Sequence, residues 1–243
     1  MKSFALSALV ALCALGNAHA NVITQWTFNS TTPDGNTGTG SVLASVGTGS
    51  LSLLGGVTSP SFNSGAGSSD LAASDNSGWQ TTTYAAQGAG NKTRGIEVKA
   101  SSVGFENVVF NYDLRHSNTS SRYELAQYSL DGVNFIDYAV FDGGQGDTWF
   151  NARTIDLSSV SGADNNANLT FRVLATFAPG TTGYLASDAT KSYASSGTWR
   201  FDTVTVSGAT LTVTPTVPEP SSTVAAFAGL AAIGFMARRR RAG

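Results

Sequence analysis

The chain has 243 residues, of which 12% are charged and 41% are hydrophobic, and its formal net charge is −2. Nine of the 14 basic residues and all 16 acidic residues lie between positions 21 and 220, so this segment carries a net charge of −7. That charge argues against nucleic acid and anionic lipid as its partners. The hydrophobic fraction is too high for a disordered chain, and the many Gly, Ser and Thr residues favour an all-β fold.

The N-terminus has the pattern of a secretory signal peptide. Lys2 supplies a positive start, the run from Phe4 to Leu15 is apolar, and Ala18 and Ala20 fit the small-residue rule of signal peptidase. We predict cleavage after Ala20 and export through the inner membrane. A buried N-terminal helix or a true anchor is the alternative, but the run is short for a membrane span. The only cysteine, Cys13, leaves with this segment.

Beyond the signal, short apolar and β-branched runs alternate with turn-forming residues. This pattern predicts roughly nine to eleven strands in a β-sandwich or barrel. The predicted strands, in chain order, are 22–28, 50–54, 95–100, 105–114, 122–130, 135–141, 149–157, 169–177 and 199–206, and 211–214 is a last strand or a linker.

Turn and loop signals separate these strands. Asp131-Gly132 favours a tight hairpin turn, because glycine accepts a positive φ without steric cost. The strand that follows carries apolar residues on alternate and adjacent positions, which predicts that both of its faces are covered. Residues 29–40 and 59–78 are rich in Gly, Ser, Asn and Asp, so we expect two long surface loops. Such loops either bind a ligand or ion, or are mobile without a function.

Signatures of catalysis are few. His19 belongs to the signal, and His116, within a polar Arg-His-Ser-Asn stretch, is expected to be a solvent-facing loop residue. Neither a Gly-x-Ser-x-Gly element nor the ligand spacing of a zinc site is present in the sequence. We therefore predict no catalytic residues and no enzymatic activity. A glycoside hydrolase stays an alternative, because it needs only two carboxylates.

Candidate ligands for a metal ion come from three aspartates. Asp142 and Asp147 flank a glycine-rich segment, which suits a structural calcium ion, and Asp202 is a further candidate. The competing interpretation is a hairpin loop with solvated carboxylates and a hydrogen-bonded strand position for Asp202.

Trp79 and Trp149 are candidates for a sugar-stacking surface, because exposed aromatic faces beside polar loops are typical of carbohydrate sites. Packing in the core or at its rim is the alternative for both residues. An ice-binding protein would require a flat face of ordered threonines, and the sequence shows no regular Thr-x-Thr ladder.

The segment 217–243 reads VPEPSSTVAAFAGLAAIGFMARRRRAG. As a helix, the apolar run Thr223 to Ala237 would be about 22 Å long, against about 30 Å for a bilayer core. The run just spans the bilayer core if Ser221 and Ser222 extend the helix and the arginine side chains reach along it to the membrane surface. Pro218 and Pro220 mark the start of this transmembrane helix. The cytoplasmic stop consists of Arg238, Arg239, Arg240 and Arg241.

The order Pro218-Glu219-Pro220, short apolar helix and arginine cluster resembles the PEP-CTERM sorting signal of exported proteins in Gram-negative bacteria. The resemblance implies that an exosortase, a membrane-embedded cysteine transpeptidase, recognises the motif and removes the tail. The inner membrane would hold the chain transiently before its release to the cell surface or the extracellular space. Many bacteria with this signal make extracellular polysaccharide, which is therefore an expected partner.

Two stretches of the body are similar to jelly-roll domains of the carbohydrate-binding-module type. They are Tyr128 to Phe135 (YSLDGVNF) and Arg200 to Gly208 (RFDTVTVSG), with Thr203 at a position where Asn is common. The resemblance implies a single jelly-roll β-sandwich.

The sequence thus predicts a non-enzymatic cell-surface or extracellular-matrix protein, either structural or associated with exopolysaccharide. A carbohydrate-binding module is the first alternative. The expected organisation is a signal peptide at 1–20, an ectodomain at 21–211, a linker at 212–217 and a sorting signal at 218–243.

Overall fold

The computed structural model describes residues 20–212, with the exception of residue 73. The predicted signal peptide, the C-terminal helix and the arginine cluster lie outside these residues. The chain divides into two units, Met1–Leu211 and Thr212–Gly243, and all the elements below belong to the first. Nowhere in the described residues does a helix occur that is long and apolar enough to cross a membrane.

The described residues contain twelve β-strands and no helix. The strands are β1 (Asn21–Trp26), β2 (Val46–Gly47), β3 (Gly49–Leu54), β4 (Thr58–Ser64), β5 (Ser77–Thr82), β6 (Gly95–Ala100), β7 (Phe105–His116), β8 (Tyr123–Ser129), β9 (Ile136–Asp142), β10 (Thr148–Asp156), β11 (Thr170–Thr176) and β12 (Trp199–Thr210).

The strands form two antiparallel sheets. The seven-stranded sheet has the order β10-β7-β12-β1-β2, and β5 pairs with both β12 and β4; the five-stranded sheet has the order β3-β6-β11-β8-β9. From β2 onward, most connections carry the chain from one sheet to the other. The prediction of an all-β jelly-roll sandwich is confirmed.

The core lies between the two sheets and is built from alternate residues of most strands. Phe110 of β7 stacks on Phe171 of β11, with ring centroids 4.4 Å apart, and so joins the seven-stranded sheet to the five-stranded one. On the latter, Ile96, Val98 and Val173 are fully buried. This burial is the main stabilising contribution, because each buried aliphatic or aromatic side chain adds about 1.5–3 kcal/mol.

The predicted long loop over residues 59–78 is wrong at both of its ends. It contains most of β4 and the start of β5, which pair with each other from Thr58↔Thr82 to Ser64↔Ser77. Both strands are rich in Ser and Thr, so they lack the apolar alternation that marks the other strands. Residues 29–40 contain no strand, as predicted.

The predicted hairpin between β8 and β9 is confirmed, although its connection is longer than a tight turn. Gly132 adopts a φ of 76°. The Asp131 carboxylate accepts hydrogen bonds from the backbone N–H groups of Val133 and Asn134, at 2.9 and 2.7 Å. These bonds fix the connection through a side chain instead of a two-residue turn.

The prediction that β9 is covered on both faces is wrong. β9 is the edge strand of the five-stranded sheet. Its apolar residues Ile136, Tyr138 and Val140 are 49%, 40% and 46% exposed. Apolar content alone could not reveal this, because an edge strand and a central strand can have the same composition.

Candidate functional site

The two candidate tryptophans lie in different surroundings. Trp79 of β5 is only 5% exposed and stacks on Phe28, with ring centroids 5.6 Å apart. It is a core residue, so its ring cannot stack against a sugar, which corrects the prediction. Trp149 of β10 is half-buried and lies against the backbone of Gly67, where an added Cβ would be 2.8 Å from its Cδ1.

The three candidate calcium ligands are not brought together. Asp142 accepts two hydrogen bonds from Arg122, both of 2.7 Å, and this guanidinium lowers the pKa of the carboxyl. Asp147 forms an ion pair of 2.6 Å with Arg115. Asp202 of β12 is fully buried elsewhere in the fold. Each carboxylate of the glycine-rich segment thus already has a cationic partner.

This glycine-rich segment is not a hairpin loop. It joins β9 of the five-stranded sheet to β10 of the seven-stranded sheet, so its two flanking strands belong to different sheets. Among the residues described here, no group of three or more His, Cys, Asp or Glu side chains is arranged to hold a metal ion.

His116 is not a solvent-facing loop residue, which corrects the prediction. It is the last residue of β7 and is fully buried, with edge contacts to Phe150 and Trp199. Its Nδ1 is 2.8 Å from the carbonyl oxygen of Ser121, and its Nε2 is 3.2 Å from Oε2 of Glu124. An imidazole beside a carboxylate has the composition of an acid–base pair, but here both groups are closed off from any substrate.

The outer face of the five-stranded sheet carries a set of polar side chains that the sequence analysis missed. We call Glu97, Arg172, Gln127 and Asp137 the polar row, because they lie opposite one another on β6, β11, β8 and β9. On β6, β11 and β8 the neighbours along the strand face the core, so the row itself faces away from it. A single polar residue between two apolar or aromatic neighbours on each of these strands was the signal that could have revealed it.

Hydrogen bonds hold the polar row in place. Arg172 donates from Nε and Nη2 to Oε2 of Glu97, at 2.9 and 2.7 Å. Gln127 and Lys92 each donate to Asp137 at 2.6 Å, and these two bonds lower the pKa of its carboxyl. Such mutual bonding fixes the directions of the side chains, and Glu97 itself is only 7% exposed.

An aromatic ring and a small depression adjoin the polar row. The guanidinium carbon of Arg172 lies 3.4 Å from the ring centroid of Phe135, which is half-buried. A depression of about 240 Å³ lies nearby, lined by residues that include Lys99, Asp131 and Asn168. A flat polar face with a fixed aromatic ring can present donors, acceptors and an apolar patch to a sugar chain.

Comparison with known families concerns the tail. Residues 216–241 match the model of the PEP-CTERM protein-sorting motif. The C-terminal segment is a PEP-CTERM protein-sorting motif. The matched span includes the Pro-Glu-Pro motif, the apolar run and the arginine cluster, and it implies export, membrane anchoring through the C-terminal segment and processing by an exosortase.

The body of the chain is similar to a solved structure. It is similar to the N-terminal endo-1,4-beta-D-xylanase 10B of Clostridium thermocellum, containing the CBM22-1 and GH10 modules in complex with xylohexaose. The TM-score is 0.41 and the sequence identity 16%, over 67% of this chain and 27% of that one. No curated protein matches the sequence.

Proposed function

We propose that this PEP-CTERM protein is a non-enzymatic component of the cell surface or extracellular matrix, structural or associated with exopolysaccharide. The observation that carries the proposal is the sorting motif at residues 216–241. The burial of His116 argues against histidine-dependent catalysis, because it is the only histidine that would remain after removal of the signal peptide.

The proposed route follows from the two ends of the sequence. Signal peptidase removes residues 1–20, and the apolar run 223–237 stops transfer in the inner membrane with the arginines on the cytoplasmic side. At about 22 Å as a helix, the run is a short anchor, and a short anchor suits temporary retention. The exosortase then recognises Pro218-Glu219-Pro220 and releases the sandwich to the surface.

Cell fractionation with and without the exosortase tests this route. The full chain is expressed in a Gram-negative host that carries an exosortase and in the same strain lacking it. We expect the sandwich at the surface or in the medium of the first strain and in the inner membrane of the second. Glu219→Ala is expected to retain the protein in the membrane of both strains. Thr214→Ala, outside the matched motif, is the control. Equal release from both strains would rule out exosortase handling.

Carbohydrate binding by the sandwich is the second candidate function, and the polar row with Phe135 favours it. Exopolysaccharides present many hydroxyl groups beside apolar sugar faces, and the row offers both donors and acceptors next to an aromatic ring. The experiment is affinity electrophoresis of the exported protein in gels that contain different polysaccharides, including that of the host. We expect retardation that Arg172→Ala and Phe135→Ala abolish and that the control Lys191→Ala, in an exposed loop, preserves.

Two outcomes would contradict this second candidate. One is unretarded migration of the wild type in every polysaccharide gel. The other is retardation that both variants of the outer face leave unchanged.

A further inference from the structure

β3 lies at one edge of the five-stranded sheet, and in the part of the chain that the structure describes it pairs with β6 alone. An edge strand presents a row of backbone N–H and C=O groups that can pair with a further strand. Natural proteins usually block such edges with charged residues, prolines or bulges, because an open edge pairs with other chains.

These blocking features are missing from β3 itself. Residues 35–69 contain no Asp, Glu, Lys, Arg or His. The strand has the sequence GSLSLL, without a proline. Its register with β6 runs without a bulge from Gly49↔Ala100 to Leu54↔Gly95. β3 is therefore a regular, uncharged edge strand.

The opposite edge of the same sheet is protected. β9 has a bulge at Tyr138, where its register with β8 shifts. The hydroxyl of Tyr138 also accepts a hydrogen bond from the N–H of Asp156, at the end of β10, at 3.1 Å. Asp137 and Asp142 place a carboxylate near each end of β9, and each is already in an ion pair. β3, and not β9, is thus the edge that is open to a further strand.

Leucines and serines alternate along β3. Leu51 and Leu53 are half-buried and pack against the core. Ser50 and Ser52, on the other face, are exposed. A strand added beside β3 would cover the remaining surface of both leucines if it carried apolar residues on the same face.

A second copy of β3 meets these requirements. In an antiparallel pair around a twofold axis at Ser52, Leu51 lies opposite Leu53 of the second copy, and Gly49 lies opposite Gly55. Leucine then faces leucine on the core side, and the glycines leave room for the approaching chain at both ends. A charge near the axis of such a pair would face its own copy and repel it, so an uncharged strand suits self-pairing.

We propose that two copies of this protein associate through antiparallel pairing of β3 around Ser52, which joins their five-stranded sheets into one continuous sheet. A single strand pair is smaller than the interface of a permanent dimer, so the dimer is in reversible equilibrium with the monomer. This association is independent of the sorting route and of sugar binding, since β3 contains no residue of the sorting motif or of the polar row.

Disulfide trapping tests the pairing and its register. Ser52→Cys is introduced into the full chain together with Cys13→Ala, which removes the only natural cysteine. Directly opposed Cα atoms in an antiparallel pair are about 4.5–5.5 Å apart, a separation that a disulfide can bridge. Mild oxidation in detergent should therefore give a covalent dimer on non-reducing gels. The matched control is Ser50→Cys, which should stay monomeric because its two copies would lie about 14 Å apart along the strands.

Sedimentation equilibrium of the full chain in mild detergent measures the association without a cross-link. Ser52→Lys places two like charges at the twofold axis and should weaken dimerisation at least about tenfold. Glu97 of β6 lies opposite Ser52 within the same copy, so we expect the fold to accept the lysine. An unchanged midpoint of thermal unfolding checks this. Tyr138→Lys, on the protected edge, is the matched control and should leave the dimer unchanged.

Three results would overturn this dimer. The first is a wild type that stays monomeric at millimolar concentration and does not cross-link through Ser52→Cys. The second is a dimer that Ser52→Lys leaves intact or that Tyr138→Lys weakens equally, because another surface, the C-terminal tail included, would then hold it. The third is cross-linking of Ser50→Cys as fast as that of Ser52→Cys, which would exclude pairing around Ser52.

Discussion

His116 Nε2 lies 3.2 Å from Glu124 Oε2, and neither side chain is exposed to solvent. Arg153 approaches the other oxygen of the same carboxylate, with Nε 2.9 Å from Oε1. Glu124 is therefore held between two nitrogen-bearing side chains in the core. Removal of one partner from such a network costs more than the pair contributes, because the remaining charge stays buried without compensation.

The first prediction concerns Arg153. Arg153→Met keeps an apolar stem over the rings of Phe141 and Phe150 but removes the charge. We expect the free energy of unfolding in urea to fall by about 3–5 kcal/mol, because the buried Glu124 loses one of its two nitrogen partners. The control is Arg122→Met, whose partner is exposed, and it should cost at most about 1 kcal/mol. Equal losses in the two variants would contradict the role assigned to the buried network.

The second prediction concerns Trp79. Because its ring is buried against Phe28, Trp79→Ala should lower the free energy of unfolding by about 3–5 kcal/mol. Trp79→Phe retains an aromatic ring and should recover more than half of that loss. Urea denaturation measures both. A stable Trp79→Ala protein that had lost only polysaccharide binding would restore the interpretation of Trp79 as a ligand residue.

The third prediction concerns pH and the β8–β9 connection. Backbone and side-chain hydrogen bonds from Asn134, and others from Val133 and Ser129, lower the pKa of Asp131 from its ordinary value of 3.8. A carboxyl group whose pKa is lower in the folded than in the unfolded chain stabilises the fold at pH values above its unfolded pKa. This stabilisation is lost as the pH falls through the folded pKa. Asp131→Ala should therefore lower the midpoint of thermal unfolding at pH 7. The difference between the midpoints of the variant and the wild type should be smaller at pH 3. A difference between the two midpoints as large at pH 3 as at pH 7 would contradict this role of the Asp131 carboxylate.

The fourth prediction concerns Gly143, whose backbone packs on the buried imidazole. An added Cβ would come within 2.6 Å of Cδ2 and Cε1 of His116. Gly143→Ala should therefore cost about 1–3 kcal/mol in the free energy of unfolding, the usual penalty for overpacking. The control is Gly38→Ala, because an added Cβ there would meet only Oδ1 of Asn36, at 3.2 Å. Gly104→Ala is unsuitable, because the φ of Gly104 is positive and alanine would be strained there. Equal effects would contradict the packing argument.

Sequence patterns predicted most of the sandwich. Strands with apolar alternation, such as β6 at Gly95–Ala100, were placed to within a few residues. β4 and β5 were missed because Ser and Thr dominate them, and only their pairing with each other and with β12 makes them strands. Local composition carries no information about such partners.

The environments of single residues were harder to predict than the strands. His116 has polar neighbours in sequence, yet β7 carries it into the core. Asp113 and Asp202 are opposed only because β7 and β12 pair, although 88 residues separate them along the chain. A sequence without structural partners cannot show which side chains two distant strands place together, so the opposition of Asp113 and Asp202 was not foreseen.

The most direct test of the account is the mass of the C-terminal peptide of the exported protein, taken from the surface or medium of an exosortase-bearing strain. We predict a C-terminus that lacks the arginine cluster, and an intact tail ending at Gly243 in the strain without exosortase. An exported wild-type protein that retains Arg238 to Gly243 in the presence of the exosortase would contradict the central claim.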